Sequence, residues 1–183
     1  KLDSIYELYR NIKRELEMEI EKNNFEAVYT ISGGIISVKE MENPEYADIM
    51  KYSEFALGEA KNMGRNQVYV FEQEDYDLFL RKRKILAQLR KSVGNDFEGF
   101  DLVFQPIMTA GEDGVKLYAA ESLLRFTTAT GEFISPMEFV PLLEESGLII
   151  PVGKWILDRA VSMCKKCQKY YPDFKVSINL SYV

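Results

Sequence analysis

The sequence predicts an α/β protein made of two successive parts. Helical and strand-like patterns alternate through the first 71 residues, and a charged helical stretch follows them. After it comes the order strand, strand, helix, helix, strand, which suits the opening of an α/β barrel. We therefore expect a first domain at 1–71, a linker helix at 72–96 and a second domain at 97–183.

The first helix and the first strand are predicted from their residue periodicity. Apolar residues recur at helical intervals from Ile5 to Ile20, and Ser4 and Glu7 have the spacing of a capping box. Residues 28–38 are rich in β-branched and aromatic side chains around two glycines. This pattern predicts a strand with a bulge or a close backbone contact at the glycines.

A second helix and a second strand complete the first part. Asn43 and Pro44 have the character of an N-cap and a first-turn proline, and Gly64 is a typical C-terminal stop. Residues 67–71 form a short apolar run that predicts a strand. Helix, strand, helix, strand is the expected order.

The linker helix is predicted from about Glu74 to Val93. Leucines and isoleucines lie on one side of it, and Gly94 and the two residues after it end it. The basic run at 81–84 lies among acidic residues, so we interpret it as a solvated helix face rather than a nucleic-acid patch.

A hairpin, two helices and a strand are expected after the linker. Residues 102–108 and 116–126 read as strands joined by the turn at 111–114. Ser135-Pro136 begins one helix and Pro151 begins the next, which extends to about residue 170. Residues 175–180 return to strand.

Composition excludes several functional classes. Lys and Arg number 23 against 29 Asp and Glu, so the net charge of −6 gives no attraction to DNA. No apolar run approaches the roughly 20 residues that cross a bilayer. We expect a cytoplasmic location and truncation at both ends, because the sequence starts without Met and stops in an apolar segment.

Histidine is absent, so imidazole chemistry is excluded and carboxylates, amides, Lys and Arg must carry any reaction. Cys164 and Cys167 form a C-x-x-C inside a helical pattern. Redox pairs usually lie where a helix begins, and a zinc site needs two further ligands. We interpret the pair as two thiols on one helix.

Four polar side chains interrupt the apolar strands of the second part. Glu121 and Arg125 are four apart on one strand and face the same side, so they are able to ligate a divalent metal and bind a phosphate. A surface salt bridge is the simpler interpretation. Gln105 and Asn179, each taken alone, are explained as ordinary hydrogen-bonded residues of a barrel. If four successive strands each bring one polar group to the same open end, however, that end is where barrels place their active sites.

The second part resembles the EAL domain family. The matching blocks are Phe104-Gln105-Pro106-Ile107, Glu121-Ser122-Leu123-Leu124-Arg125-Phe126, Ile134-Ser135-Pro136 with Phe139-Val140-Pro141, Glu144-Glu145-Ser146-Gly147-Leu148-Ile149 and Ile178-Asn179-Leu180-Ser181. Ser122 stands where the family motif has alanine. Because it faces away from Glu121, we expect little effect.

This resemblance implies a phosphodiesterase that opens cyclic di-GMP to pGpG with two Mg²⁺ or Mn²⁺ ions. It implies that Glu121 is a catalytic metal ligand, that Asn179 is a second ligand, that Arg125 binds a substrate phosphate and that Gln105 contacts the dinucleotide. The family's later acidic ligands and its lysine would fall beyond Val183. We therefore expect the parent protein to be the enzyme and this chain alone to be inactive.

The first part resembles the end of a GGDEF domain at residues 29–35 and 55–66. The resemblance implies that Lys61 and Arg65 reach nucleotide phosphates. Both are equally explained as cations at a helix end, which the helix dipole favours. Departures from the family at Ser53-Glu54 and Gly58 predict no cyclase activity.

Two rival functions remain open beside catalysis. One is a cyclic di-GMP receptor or scaffold with degenerate domains. The other is an interaction segment that folds only against another chain, because an open half-barrel leaves strand edges uncovered. Uncovered edges also predict a homo-oligomer.

Overall fold

The computed structural model describes residues 2–26, 29–41, 43–111, 114–179 and 181. It divides into two compact units, Lys1–Phe79 and Leu80–Val183. The predictions for Val28, the turn residues Glu112 and Asp113, and Leu180 lie outside the described residues. Among the described helices, none combines the length and the apolar character that a membrane span requires.

The first unit contains helices and two short strands. They are α1 (Leu2–Lys22), β1 (Gly33–Ile35), a 3₁₀ helix (Val38–Glu40), α2 (Tyr46–Asn62), β2 (Val68–Val70) and the first part of α3 (Gln73–Gly94). β1 and β2 pair in parallel, and α2 connects them, so the three elements form a βαβ unit.

Gly34 is the point where β1 contacts α2. A Cβ atom at this position would lie 2.4 Å from the backbone nitrogen of Leu57 and 2.8 Å from the carbonyl oxygen of Ser53. Only glycine allows the strand and the helix to approach so closely. The close backbone contact predicted at the glycines is confirmed.

An aromatic cluster fills the space beside β2. Phe55 is buried, and its ring contacts several others in edge-on or tilted arrangements at centroid distances between 5.1 and 6.2 Å. Such arrangements are the favourable ones for aromatic pairs. The partner rings are Tyr69, Phe71, Tyr76 and Phe79.

The second unit is a four-stranded sheet with helices packed on it. Its elements are the rest of α3 from Leu80, β3 (Phe100–Gly111), β4 (Gly114–Thr127), β5 (Phe133–Ile134), α4 (Pro136–Glu145), α5 (Ile149–Gln168) and β6 (Lys175–Ile178). β4 pairs antiparallel with β3 and β5 and parallel with β6.

The predicted hairpin is confirmed, and both of its strands are longer than expected. Its register shifts between Ile107 and Met108, which marks a bulge. Pro106 precedes this bulge, and among the described residues β3 pairs only with β4. A proline, which has no N–H to donate, is tolerated in such an edge strand.

Alternation along the hairpin separates a core face from an open face. Phe100, Leu102 and Phe126 are buried in the core together with α4 and α5. Successive side chains of a strand point to opposite faces, so the odd-numbered residues of this hairpin, such as Val103, face the other side of the sheet. Glu121 and Arg125 alternate with the buried Phe126 in β4 and therefore belong to that open face.

Three predicted helix starts are wrong. α1 already includes Ser4, so the capping-box spacing does not mark its beginning. α2 is capped by Glu45, because Asn43 takes a left-handed conformation with φ of 47° instead of the extended conformation of an N-cap. α5 begins at Ile149, which leaves Pro151 inside its first turn.

Candidate functional site

Glu121 and Asn179 contact each other although 58 residues separate them. Glu121 lies in β4 and is half-buried, whereas Asn179 is exposed and directly follows β6. The Nδ2 of Asn179 donates a hydrogen bond of 3.0 Å to Oε1 of Glu121. The parallel pairing of Glu121 with Ser177 brings the two side chains together.

Gln105 lies beside the same carboxylate from the other neighbouring strand. It is directly opposite Glu121 in the antiparallel register of β3 and β4. Opposed residues have their Cβ atoms about 4.5–5.5 Å apart on one face of the sheet. Carboxylate and carboxamide groups from three strands therefore converge on one patch of the open face.

Arg125 shares this face but does not contact Glu121. Four residues along a strand span about 13 Å, and no ion pair of the described residues joins the two side chains. The Nη1 of Arg125 donates instead to the carbonyl oxygen of Leu124 at 3.0 Å. The simple surface salt bridge is therefore not formed, and both charges remain available to a ligand.

Ser122 holds the strand that leads to Asn179. Its side chain is buried and faces away from Glu121, as expected, and its Oγ donates to the carbonyl oxygen of Ser177 at 2.8 Å. This hydrogen bond stabilises the pairing of β6 with β4 at the residue next to Glu121. A family alanine at this position has no hydroxyl to make that bond.

The site continues into two residues that sequence reasoning did not single out. Ser181 donates a hydrogen bond to the carboxylate of Glu144 in α4. Glu144, Ser181, Arg125 and Asn179 all line one cavity of about 280 Å³ whose other walls are mostly apolar. Both residues stand in the blocks that resemble the EAL family, which was the only signal for them.

The side-chain oxygens of Glu121 and Asn179 suit a hard divalent cation, but they are fewer than the roughly six that such an ion needs. Glu121 and Asn179 offer carboxylate and carboxamide oxygens, the ligand types that Mg²⁺ and Mn²⁺ prefer. Within the described part of the chain, no group of three or more His, Cys, Asp or Glu side chains is arranged to hold a metal ion. The pair therefore fits as a portion of a metal site.

Lys61 and Arg65 lie at the end of α2 in the first unit. Both side chains are exposed. Arg65 and Asn66 have φ of 62° and 56°, and Gly64 has φ of 111°, so the chain leaves the helix through three left-handed residues. The geometry is consistent with either of the two interpretations of these cations.

The second unit defines a class of mixed α/β protein in which carboxylate and carboxamide groups and a guanidinium lie on one open sheet face. The model of the family described as "EAL domain" matches residues 86–182, which is more than half of the chain. The chain belongs to the EAL domain family.

Several proteins of known sequence are similar to the chain. The signalling protein YkoW of Bacillus subtilis is 29% identical over 179 residues, which is 95% of this chain and 21% of YkoW. The cyclic di-GMP phosphodiesterase PdeR of Escherichia coli is 28% identical over 155 residues, 84% of this chain and 22% of PdeR. The chain thus spans about a fifth of the length of these relatives.

One solved structure described as the PaMucR phosphodiesterase in complex with c-di-GMP is 29% identical, with a TM-score of 0.46. The match covers 54% of this chain and 38% of that chain. The family assignment rests on the sequence match.

Proposed function

We propose that the protein to which this chain belongs hydrolyses cyclic di-GMP to pGpG at an EAL-type site. The observation that carries the proposal is the convergence of Glu121, Asn179 and Gln105 on one sheet face, with Arg125 on the same face. Sequence similarity to proteins named cyclic di-GMP phosphodiesterase supports the same substrate.

Each side chain has a proposed role. The Glu121 carboxylate and the Oδ1 of Asn179 hold divalent cations, while the Nδ2 of Asn179 keeps the carboxylate oriented by its hydrogen bond. Arg125 binds a substrate phosphate through its guanidinium, and Gln105 contacts the dinucleotide. When bound, Mg²⁺ or Mn²⁺ supplies positive charge that stabilises the developing charge on the phosphate oxygens.

The complete domain is proposed to be a (β/α) barrel with two metal ions. The hairpin followed by two helices and a parallel strand supports this architecture, because βαβ connections build such barrels. The 183-residue chain alone is proposed to be inactive, since two ligand residues do not hold two cations that each need about six oxygens.

The first part, 1–71, is proposed to be the end of a GGDEF-like domain without cyclase activity, joined by a linker at 72–96 to the EAL part at 97–183. The βαβ unit and the YkoW alignment, which covers 95% of the chain, support a second folded region. Lys61 and Arg65 are candidates for nucleotide phosphate contacts. The proposed location is the cytoplasm, because the proposed substrate is a nucleotide messenger that the protein would bind there.

Two substitutions test the proposal in the protein extended through the whole EAL domain. Glu121→Gln keeps the size of the side chain but removes the charge that holds a hard cation, so we expect hydrolysis to fall by at least about 100-fold with an unchanged melting temperature. Arg125→Ala should mainly raise KM about tenfold by removing a phosphate contact. Hydrolysis is followed by chromatography of pGpG.

The exposed Glu145 provides the matched control. Glu145 is not one of the converging side chains, and Glu145→Gln removes the same charge as Glu121→Gln. The Glu145→Gln variant should therefore retain full activity. If Glu121→Gln and Arg125→Ala also retained it, the polar face would be structural. The receptor or scaffold function would then replace the enzyme.

A further inference from the structure

Asn179 lies just outside the sheet that brings it to Glu121. β6 ends at Ile178, and its pairing with β4 ends there as well, opposite Ser122. The side chain of Asn179 is exposed, and the hydrogen bond that its carboxamide donates goes to Glu121 itself. The sheet therefore fixes the residue before Asn179 but not the direction in which the chain continues.

Ser181 provides a second point of attachment two residues further along the chain. Its Oγ donates a hydrogen bond to the carboxylate of Glu144, which lies in the last turn of α4. A hydrogen bond to an ionised acceptor is stronger than one between two neutral groups. Asn179 is thereby held between the end of β6 on one side and an attachment to a helix on the other.

Helix α4 is a firm support for this attachment. Phe139 and Leu143 are completely buried in the core of the second unit, and Leu142 is nearly so. Oγ of Ser146 donates to the carbonyl oxygen of Leu142 at 2.5 Å and so closes the end of the helix. Groups held by packed helices are positioned more precisely than groups on loops. Glu144, which is half-buried, is such a group.

A residue that orients a metal ligand affects the metal without touching it. Loss of such a residue typically weakens metal binding by about 10–100-fold. We propose that Glu144 is a positioning residue for Asn179, which it holds beside Glu121 through Ser181. This inference rests on the proposed metal-dependent function of the site.

The acceptor oxygens and the charge of Glu144 are separable by substitution. Glu144 lines the same cavity as Arg125, so its negative charge also acts there. Glu144→Gln removes the charge but keeps an acceptor oxygen for Ser181, whereas Glu144→Ala removes both. Because the proposed role depends on the acceptor, only Glu144→Ala should disturb Asn179.

The test is the binding of Mn²⁺ to the protein extended through the whole EAL domain, measured by electron paramagnetic resonance without substrate. Glu144→Ala and Ser181→Ala should each weaken binding by about tenfold. The double variant should lose no more than either single variant, because both remove the same hydrogen bond. Glu144→Gln should bind Mn²⁺ as the wild type does. Glu145→Ala is the control, since Glu145 is the neighbouring exposed residue of α4.

The kinetics separate positioning from a purely structural role. At saturating Mn²⁺ the variants should hydrolyse cyclic di-GMP at close to the wild-type rate and with an unchanged KM, because they lose metal affinity and keep the ligands. Circular dichroism and the melting temperature check the fold, and if Glu144→Ala is unfolded, Ser181→Ala decides.

Three results would overturn the role of Glu144 and leave the proposed hydrolysis intact. They are Mn²⁺ affinity that is unchanged in Glu144→Ala, additive losses in the double variant, and equal losses in Glu144→Gln and Glu144→Ala. A protein that binds Mn²⁺ but does not cleave cyclic di-GMP would contradict the proposed function instead, and the Mn²⁺ affinities of the variants would still decide the role of Glu144.

Discussion

Gly34 and Gly58 both lie in the βαβ unit, but the space available for a side chain differs between the two positions. A Cβ at Gly34 would collide with backbone atoms of α2, whereas nothing lies within 4 Å of a Cβ at Gly58. The first glycine is required by packing. The second only weakens the interior of α2, by about 1 kcal/mol relative to alanine.

Gly34→Ala should therefore lower the free energy of unfolding by about 1–3 kcal/mol, the usual cost of overpacking. Gly58→Ala should raise it by about 0.5–1 kcal/mol. Urea denaturation of the two variants measures both changes. Equal effects of the two substitutions would show that β1 does not pack on α2 as described.

The parity of a strand predicts which residues share a face, and this was enough to group Glu121 with Arg125. It does not predict contacts between distant strands. The hydrogen bond from Asn179 to Glu121 depends on the pairing of β6 with β4, and no local pattern in either segment specifies that pairing. For these residues the family resemblance supplied the information that periodicity lacks.

Arg81 lies in the part of α3 that belongs to the second unit, and it contacts two carboxylates of the same unit. The Nε of Arg81 contacts Oε1 of Glu138 at 2.6 Å, and its Nη1 contacts Oε1 of Glu132 at 3.2 Å. Glu138 lies in the first turn of α4 and Glu132 precedes β5. Arg81 therefore does more than form a solvated helix face.

The pH dependence of this contact has a definite sign. The hydrogen bond from Arg81 is the main cause that lowers the pKa of Glu138 below its ordinary value of 4.5. A carboxyl with a lowered pKa stabilises the fold above its unfolded pKa, and this contribution is lost as the pH falls through the folded pKa. Stabilisation by the pair is thus present near neutral pH and absent in acid.

Arg81→Ala should lower the melting temperature only slightly at pH 7, since solvent screens these exposed side chains. The decrease should shrink in acid, as the pH falls through the lowered pKa that Glu138 has in the folded chain. Thermal unfolding measured at pH 7 and at successively lower pH values follows it. Arg90→Ala, at an exposed position of α3, is the control and should show no such difference. A decrease for Arg81→Ala that persists in acid would mean that its packing matters and not its charge.

The longer elements were predictable because their periodicity is local. α3 was expected from about residue 74 to 93 and is observed over Gln73–Gly94. The starts of α1, α2 and α5 were misjudged, because several residues near each start have capping character and only backbone conformation selects one. β5 has two residues, too few for any pattern, and forms because β4 is beside it.

The second unit has an exposed edge strand, β3, whose backbone groups are available to pair with another chain. Within the described residues β3 has one partner, β4, and its side chains Val103, Ile107 and Met108 are 37%, 41% and 52% exposed. An unpaired strand edge with apolar side chains favours association with another chain. Self-association of the 183-residue chain is the proposed consequence.

Light scattering should then report a mass above that of one chain that increases with concentration. Ile107→Lys should shift it toward the monomer, because a charge on an edge strand opposes pairing. Ala129→Lys adds the same charge on an exposed residue beyond β4 and should not change the mass. A wild-type chain that stays monomeric at high concentration would contradict the prediction.

The proposed hydrolysis is tested most directly by incubating cyclic di-GMP with the protein extended through its complete EAL domain. With Mg²⁺ or Mn²⁺ present, we expect cyclic di-GMP to disappear and pGpG to accumulate in equal amount. Removal of the ions by a chelator should stop the reaction, and their return should restore it. Binding of cyclic di-GMP without any pGpG, at every metal concentration, would contradict the enzymatic account and leave a receptor.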